Sequence, residues 1–228
     1  MAIIIPIFKK KGDRSSVINY RPVSILPIVS KILDRCIFIN LYRFLEPRLS
    51  SCQYGFIKGR SCTVQLLVYL GKIYRALDNH QNVQVVYTDF EKAFDRVDHQ
   101  LLLRKLSDIG VRGRLLQLIR SFLSGRCYKV RVNSSLSKER KCTSGVPQGS
   151  VLSCLLFLIY INDLPTQCKS SESLICADDA KFINIDQPNN RFQRDLNRVA
   201  TWSDRHSLSL NAPNFQLQIF FWAIFVFQ

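Results

Sequence analysis

Residues 83–99 read VQVVYTDFEKAFDRVDH, and residues 174–185 read LICADDAKFINI. The first stretch predicts a strand of alternating apolar residues that ends at Asp89. The second predicts a hairpin of two short strands with Asp178 and Asp179 at its tip. Both stretches therefore place acidic side chains where a strand ends.

The three carboxylates allow two interpretations. Carboxylates held side by side repel one another unless a cation lies between them, and hard oxygen ligands of this kind suit Mg²⁺. The alternative is a set of unrelated turn residues, because aspartate is common in turns. Asp89 ends a second strand in a chain of net charge +15, which favours a metal site over three unrelated acids.

The rest of the chain mixes helical and strand patterns. Apolar residues at helical spacing predict helices over 23–45, 63–77, 101–109, 115–123, 149–163 and 192–199, and strands are predicted over 2–8 and 128–132. Helices and strands in this order predict an α+β fold with an antiparallel sheet.

Composition limits the classes of function. The 228 residues are 47% hydrophobic, which is enough for one core that two lobes can share and excludes a disordered chain. The 32 lysine and arginine residues outnumber 17 aspartate and glutamate residues, so a polyanion such as nucleic acid is the first candidate partner. Charge alone is equally compatible with a basic but ordinary surface.

Cysteine spacing argues against a zinc site. The eight cysteines form no C-x-x-C pair, and the three histidines lie far apart in the sequence. We expect reduced, buried cysteines in an intracellular protein of the nucleus or the cytoplasm. The longest apolar run, 151–161, falls short of the roughly 20 residues that span a bilayer, so no membrane segment is predicted.

Five ordered motifs resemble those of the reverse transcriptases of non-LTR retrotransposons, in particular the jockey-like LINE elements. They cover about residues 3–211, in the family's order. In sequence they are NYRPVS at 19–24, QYGF at 53–56 followed by KGRS, VVYTDFEKAFDRVDH at 85–99, SGVPQGSVL at 144–152, and ADD at 177–179.

The resemblance implies the fingers and palm of a right-hand polymerase. Residues 1–82 would be the fingers, and residues 83–211 the palm with fingers-like inserts and an antiparallel sheet. Residues 218–228 resemble nothing in the family, and residues 212–228 would form a divergent apolar tail. No thumb is matched, so the chain is expected to be a truncated copy of an element.

The resemblance also implies an RNA-directed DNA polymerase that joins deoxynucleoside triphosphates to a DNA primer on an RNA template. Asp89, Asp178 and Asp179 would be catalytic and would bind two Mg²⁺ ions, with Mn²⁺ as an alternative. The backbone carbonyl of Phe90 would be a further metal ligand. We expect no zinc and no membrane partner, and the sequence sets no oligomeric state.

Further residues match positions that bind nucleotide or nucleic acid in the family. The nucleotide-binding candidates are Arg21, Phe94, Gln148 and Gly149, and the nucleic-acid-binding candidates are Lys58, Arg60 and Cys176. Arg21 would bind the triphosphate, since a guanidinium matches phosphate geometry. Phe94 would exclude a ribose 2′-hydroxyl. Each also has a plain alternative: a core aromatic for Phe94 and a solvated charge for Arg21.

Several departures from the family suggest a second function. Cys176 replaces the usual Tyr or Phe, Ile57 replaces a common arginine, and after Asn211 the chain lacks the usual lysine. The alternative is therefore a catalytically inactive, basic remnant that only binds nucleic acid. A third possibility, an RNA polymerase with the same palm chemistry, is disfavoured by Phe94.

Overall fold

The computed structural model describes residues 1–222, which divide into two compact units. The strands are β1 (Ala2–Phe8), β2 (Tyr20–Ile25), β3 (Val83–Thr88), β4 (Cys127–Val132), β5 (Ser135–Leu136), β6 (Arg140–Lys141), β7 (Glu172–Cys176), β8 (Asp179–Ile185) and β9 (Gln216–Phe220). The helices are α1 (Ile28–Leu45), α2 (Cys62–Asp78), α3 (His99–Asp108), α4 (Gly113–Leu123), α5 (Val151–Tyr160) and α6 (Asn189–Arg205).

The first unit comprises residues 1–47 and 94–159. Its sheet has the strand order β2-β1-β4-β5, with β6 also paired to β4. β1 and β2 are antiparallel, whereas β1 and β4 are parallel. Asp34 of α1 is buried and accepts a hydrogen bond from the backbone N–H of Val151, so it caps the first turn of α5.

The second unit comprises residues 48–93 and the chain from residue 160 onward. Its sheet has the order β7-β8-β3-β9, and every neighbouring pair is antiparallel. Val83 and Val85 of β3 project from the same face and pack with Tyr69 and Ile73 of α2. The expected α+β class with an antiparallel palm sheet is confirmed. The division at residue 82 stays a prediction, since the two compact units follow other boundaries.

The helix predicted over 23–45 begins only at Ile28. Residues 23–25 belong instead to β2, which pairs with β1 through Val23 and Ile5. Pro27 marks the boundary, because proline disfavours helical backbone at the residue before it. The apolar spacing continued across this boundary and concealed it.

Part of the expected apolar tail is a strand. β9 pairs with β3 in the register Val86 to Leu217 and so covers an edge of the sheet. An uncovered edge would leave a row of backbone groups unpaired. The end of the predicted tail, 223–228, lies outside the described residues.

The expectation that all cysteines are reduced and buried is wrong. Cys62, in the first turn of α2, forms a disulfide with Cys176 at the end of β7. Their Cα atoms lie 6.1 Å apart, within the usual range for a disulfide. Cys36 is unpaired and exposed. Sequence spacing could not reveal the pair, because 114 positions separate its members.

No helix within residues 1–222 combines the length and the apolarity that crossing a membrane requires.

Candidate active site

Strand pairing in the second unit brings Asp89 and Asp179 to one edge of its sheet. Thr88 at the end of β3 pairs with Ala180 near the start of β8. Because the strands are antiparallel, the next residue on one strand lies beside the preceding residue on the other. Asp89 is half-buried and Asp179 is exposed. The two distant acidic stretches of the sequence therefore meet in space.

Asp178 lies in the tight turn between β7 and β8. Cys176 pairs with Asp179, which leaves only Ala177 and Asp178 in the turn. Ala177 has a φ of +58°, a left-handed conformation that favours glycine at this position of a two-residue hairpin loop. The hairpin therefore needs support from surrounding residues.

Gln53 provides that support, a role that its sequence motif does not predict. Its side chain is 3% exposed, and its Oε1 accepts hydrogen bonds from the backbone N–H groups of Tyr54 at 3.0 Å, Gly55 at 2.9 Å and Ala177 at 3.1 Å. A Cβ added to Gly55 would lie 2.5 Å from the Ala177 nitrogen. The motif at 53–56 therefore packs directly beneath the acidic turn, which explains a glycine at position 55.

At this edge of the sheet the carboxylates of Asp89 and Asp179 repel each other. Partial burial of the carboxyl raises the pKa of Asp179, the negative charge of Asp89 raises it further, and Lys181 partly lowers it. Asp89 uses its two oxygens differently. Oδ2 accepts hydrogen bonds from the side-chain amides of Asn211 at 3.2 Å and Asn214 at 3.0 Å, whereas Oδ1 is buried without a hydrogen-bond partner. A buried, unpartnered carboxylate oxygen beside a second carboxylate is unfavourable unless a cation joins them.

The donor set fits a hard divalent cation, although the site is not preassembled. Within residues 1–222, no three acidic, histidine or cysteine side chains converge as a ready-made metal site. The available donors are carboxylate oxygens, which Mg²⁺ and Mn²⁺ prefer, and Mg²⁺ commonly takes its other ligands from water and substrate phosphate. The unpartnered Oδ1 of Asp89 is the observation that supports the fit.

The backbone around Phe90 is fixed by an isolated bridge to Leu210. Its hydrogen bonds run from the Glu91 nitrogen to the Ser209 carbonyl and from the Asn211 nitrogen to the Asp89 carbonyl, both at 2.9 Å. Neither bond uses the carbonyl of Phe90, which was predicted to be a metal ligand. The Phe90 side chain itself is buried.

Lys181 is a second residue at this edge whose role the sequence motifs do not predict. It lies two positions after Asp179 on β8, and its Nζ donates a 2.6 Å hydrogen bond to Oε1 of Gln65. Burial lowers the pKa of Lys181, and Asp179 opposes this shift. Side chains two positions apart on a strand project from the same face, so the sequence could have placed Lys181 beside Asp179.

Arg60, Lys58 and Cys176 also lie in the second unit. The Arg60 guanidinium donates hydrogen bonds to the carbonyls of Ser50 at 3.0 Å and Gln53 at 2.7 Å, so it holds the loop that carries Gln53. Lys58 is exposed, and Cys176 is in the disulfide. Their contacts with nucleic acid stay predictions.

Phe94 and Gln148 lie in the first unit, each held by a neighbour. The half-exposed Phe94 ring stacks on buried Phe157, with ring centroids 4.5 Å apart and an interplanar angle of 20°. The Gln148 amide donates a 3.1 Å hydrogen bond to Oδ1 of Asp95. The roles of Phe157 and Asp95 as supports do not follow from sequence spacing.

Gly149 and Arg21 belong to the first unit as well. Gly149 has a φ of +116°, and a Cβ there would lie 2.8 Å from the carbonyl oxygen of Ser24, so only glycine fits this turn. The Ser24 nitrogen donates a 2.8 Å hydrogen bond to the carbonyl of Gln148, which ties the turn to β2. Arg21 is exposed on β2.

Comparison with known proteins identifies what this arrangement resembles. The family described as reverse transcriptase (RNA-dependent DNA polymerase) matches residues 8–217. The chain is 32% identical over 224 residues to the probable RNA-directed DNA polymerase from transposon BS of Drosophila melanogaster, covering 92% of this chain and 25% of that protein. It is 31% identical over 224 residues to the polymerase from mobile element jockey of Drosophila funebris, covering 92% and 24%.

The fold is shared with a solved structure of much lower identity. Apo telomerase from Candida tropicalis, truncated from its C-terminal domain, superposes with a TM-score of 0.64 at 10% identity, over 89% of this chain and 48% of that one. The chain spans about a quarter of the length of the two transposon relatives.

Proposed function

The chain belongs to the reverse transcriptase (RNA-dependent DNA polymerase) family, and from that membership we propose that it extends a DNA primer with deoxynucleotides on an RNA template. The observation that carries the proposal is the buried, unpartnered Oδ1 of Asp89 beside Asp179. It supports a cation-dependent nucleotidyl transfer at the edge of the palm sheet. An intracellular location, in the nucleus or the cytoplasm, follows from the proposed substrates.

The family generally uses divalent metal ions, and we propose two Mg²⁺ ions here, with Mn²⁺ as a substitute. Asp89, Asp178, Asp179 and the carbonyl of Phe90 would hold them. When bound, such ions lower the pKa of the primer 3′-hydroxyl and neutralise the charge on the leaving pyrophosphate. The protein's own contribution is to fix the carboxylates, which Gln53 does beneath the hairpin and the β3–β8 register does at the sheet edge.

The remaining residues would bind the substrates. Arg21 would contact the triphosphate, and Gln148 with Gly149 would let the backbone approach the incoming nucleotide closely. Lys58 would contact the template backbone. Arg60 would do the same through the guanidinium N–H groups that do not bond to the carbonyls of Ser50 and Gln53. Cys176 would lie near the primer end. The net charge of +15 supports a polyanionic partner.

Primer extension tests the proposal directly. The purified chain, an RNA template, a labelled DNA primer, deoxynucleoside triphosphates and Mg²⁺ should give extended primers. Equal extension by an Asp89→Asn preparation would point to a contaminating polymerase and contradict the proposal. Salt-sensitive RNA binding without extension would instead support the inactive, nucleic-acid-binding remnant.

Phe94→Ala is expected to weaken discrimination between sugars. Removing the ring removes the steric exclusion of a 2′-hydroxyl, so the preference for deoxynucleotides over ribonucleotides should fall by about 10-fold to 100-fold. The measurement is the ratio of kcat/KM for the two nucleotide classes. Phe38→Ala on α1 is the matched control, since Phe38 stacks on Tyr42 in the same unit. If an active Phe94→Ala enzyme kept the wild-type ratio, Phe94 would have only a packing role and no role in selecting the sugar.

A further inference from the structure

Two asparagines converge on one oxygen of the first aspartate. The side-chain amides of Asn211 and Asn214 donate hydrogen bonds of 3.2 Å and 3.0 Å to Oδ2 of Asp89. The backbone nitrogen of Asn211 also donates a 2.9 Å bond to the Asp89 carbonyl. The segment after α6 therefore holds both the main chain and the side chain of Asp89.

A short turn keeps the two amides together. Residues Ala212–Asn214 form a single 3₁₀ turn, in which the Asn214 nitrogen donates a 2.9 Å hydrogen bond to the Asn211 carbonyl. This backbone bond fixes the spacing of the two residues without help from Asp89. The amides are consequently preorganised around the carboxylate, and little conformational freedom is lost when both bonds form.

The two bonds make the oxygens of Asp89 unequal. A carboxylate that rotates freely exchanges its oxygens, but two donors on Oδ2 oppose that rotation. Oδ1 is consequently held in its buried, unpartnered position, on a carboxylate whose charge acts on Asp179. The donors are neutral amides, so they orient the carboxylate and leave its full negative charge available, whereas a lysine would neutralise it.

We infer that Asn211 and Asn214 are positioning residues that aim Oδ1 of Asp89 at a divalent cation. The inference rests on the proposed function and adds to it the residues that orient the first metal ligand. Partners that orient a metal ligand through hydrogen bonds commonly change metal affinity by about 10-fold to 100-fold when they are removed.

Binding of Mn²⁺ to the purified full chain tests the inference without relying on activity. Free Mn²⁺ is measured by its electron paramagnetic resonance signal in titrations of wild type, Asn214→Leu and the double variant Asn211→Ala/Asn214→Leu. Leucine keeps the size of the asparagine and removes its donors. We expect Kd to rise about 10-fold in the single variant and up to about 100-fold in the double variant.

Primer extension then separates orientation from a purely structural role. The Mg²⁺ concentration for half-maximal rate should rise in parallel with the Mn²⁺ Kd, and the rate at saturating Mg²⁺ should recover much of its loss. Asn197→Ala, an exposed asparagine on α6 in the same unit, should change neither quantity. A double variant that unfolds earlier but binds Mn²⁺ as tightly as wild type would overturn the inference. A wild type that binds Mn²⁺ without extending primers would overturn the proposed function instead.

Discussion

Asp179→Asn should reduce primer extension by about 10³-fold and, in the absence of metal, make the protein more stable at neutral pH. The loss of activity would follow from removing one charged oxygen that we propose to bind the metal ion. A bound metal ion contributes several kcal/mol to transition-state stabilisation, and each 1.36 kcal/mol is a factor of ten in rate. The gain in stability follows from removing a carboxylate that Asp89 repels.

The pH dependence fixes the sign of the stability change. Partial burial of its carboxyl and the charge of Asp89 raise the pKa of Asp179 in the folded protein above its unfolded value of about 3.9. Between these two pKa values the folded state binds more protons, so the free energy of unfolding falls as pH rises through that window. Because asparagine does not titrate, the Asp179→Asn variant lacks this fall in the free energy of unfolding. Because much of the Asp179 side chain nevertheless remains exposed to solvent, which screens its charge, we expect the gain at neutral pH to stay below about 1 kcal/mol.

Urea unfolding in EDTA between mildly acidic and neutral pH provides the measurement, alongside primer extension. Asp186→Asn is the matched control, since Asp186 is an exposed aspartate directly after the other end of β8. It should leave both activity and the pH slope unchanged. A less stable Asp179→Asn protein at neutral pH would contradict the repulsion between the two carboxylates, and full activity would contradict the metal role.

Reduction of the Cys62–Cys176 disulfide should lower the free energy of unfolding by about 3–5 kcal/mol. The bond joins residues 114 positions apart. A cross-link that closes a loop of about 100 residues lowers the conformational entropy of the unfolded chain, which stabilises the folded state by roughly this amount. It also joins the first turn of α2 to the strand that leads into Asp178. Equilibrium unfolding with and without dithiothreitol measures the effect, and Cys176→Ser should reproduce it.

Cys36→Ser controls for the loss of a thiol, because Cys36 is exposed and unpaired. It should not change stability, and its response to dithiothreitol should match that of wild type. Alkylation of the unfolded, unreduced protein should modify six of its eight cysteines, since two are joined. Eight modified cysteines and an unfolding midpoint that does not respond to dithiothreitol would show that the thiols are reduced, as cysteine spacing alone suggested.

Local patterns in the sequence predicted most of the regular structure. The alternation at 83–87 and the hairpin at 174–185 correspond to β3, β7 and β8, because a strand with one buried face imposes a period of two. Where the local pattern was ambiguous, it failed. The apolar spacing of 23–45 fitted a helix, but its first residues pair with β1, which is a long-range preference that no local period records.

By itself, the sequence determined the family, and it predicted which three aspartates are catalytic, because motif order and residue chemistry are written along the chain. Only the tertiary structure decided how those aspartates are held. The support of the acidic turn by Gln53, the two amides on Asp89 and the pairing of Cys62 with Cys176 each join positions more than 100 residues apart. Such contacts depend on strand register and on distance in space, and neither of these leaves a periodic signal in the sequence.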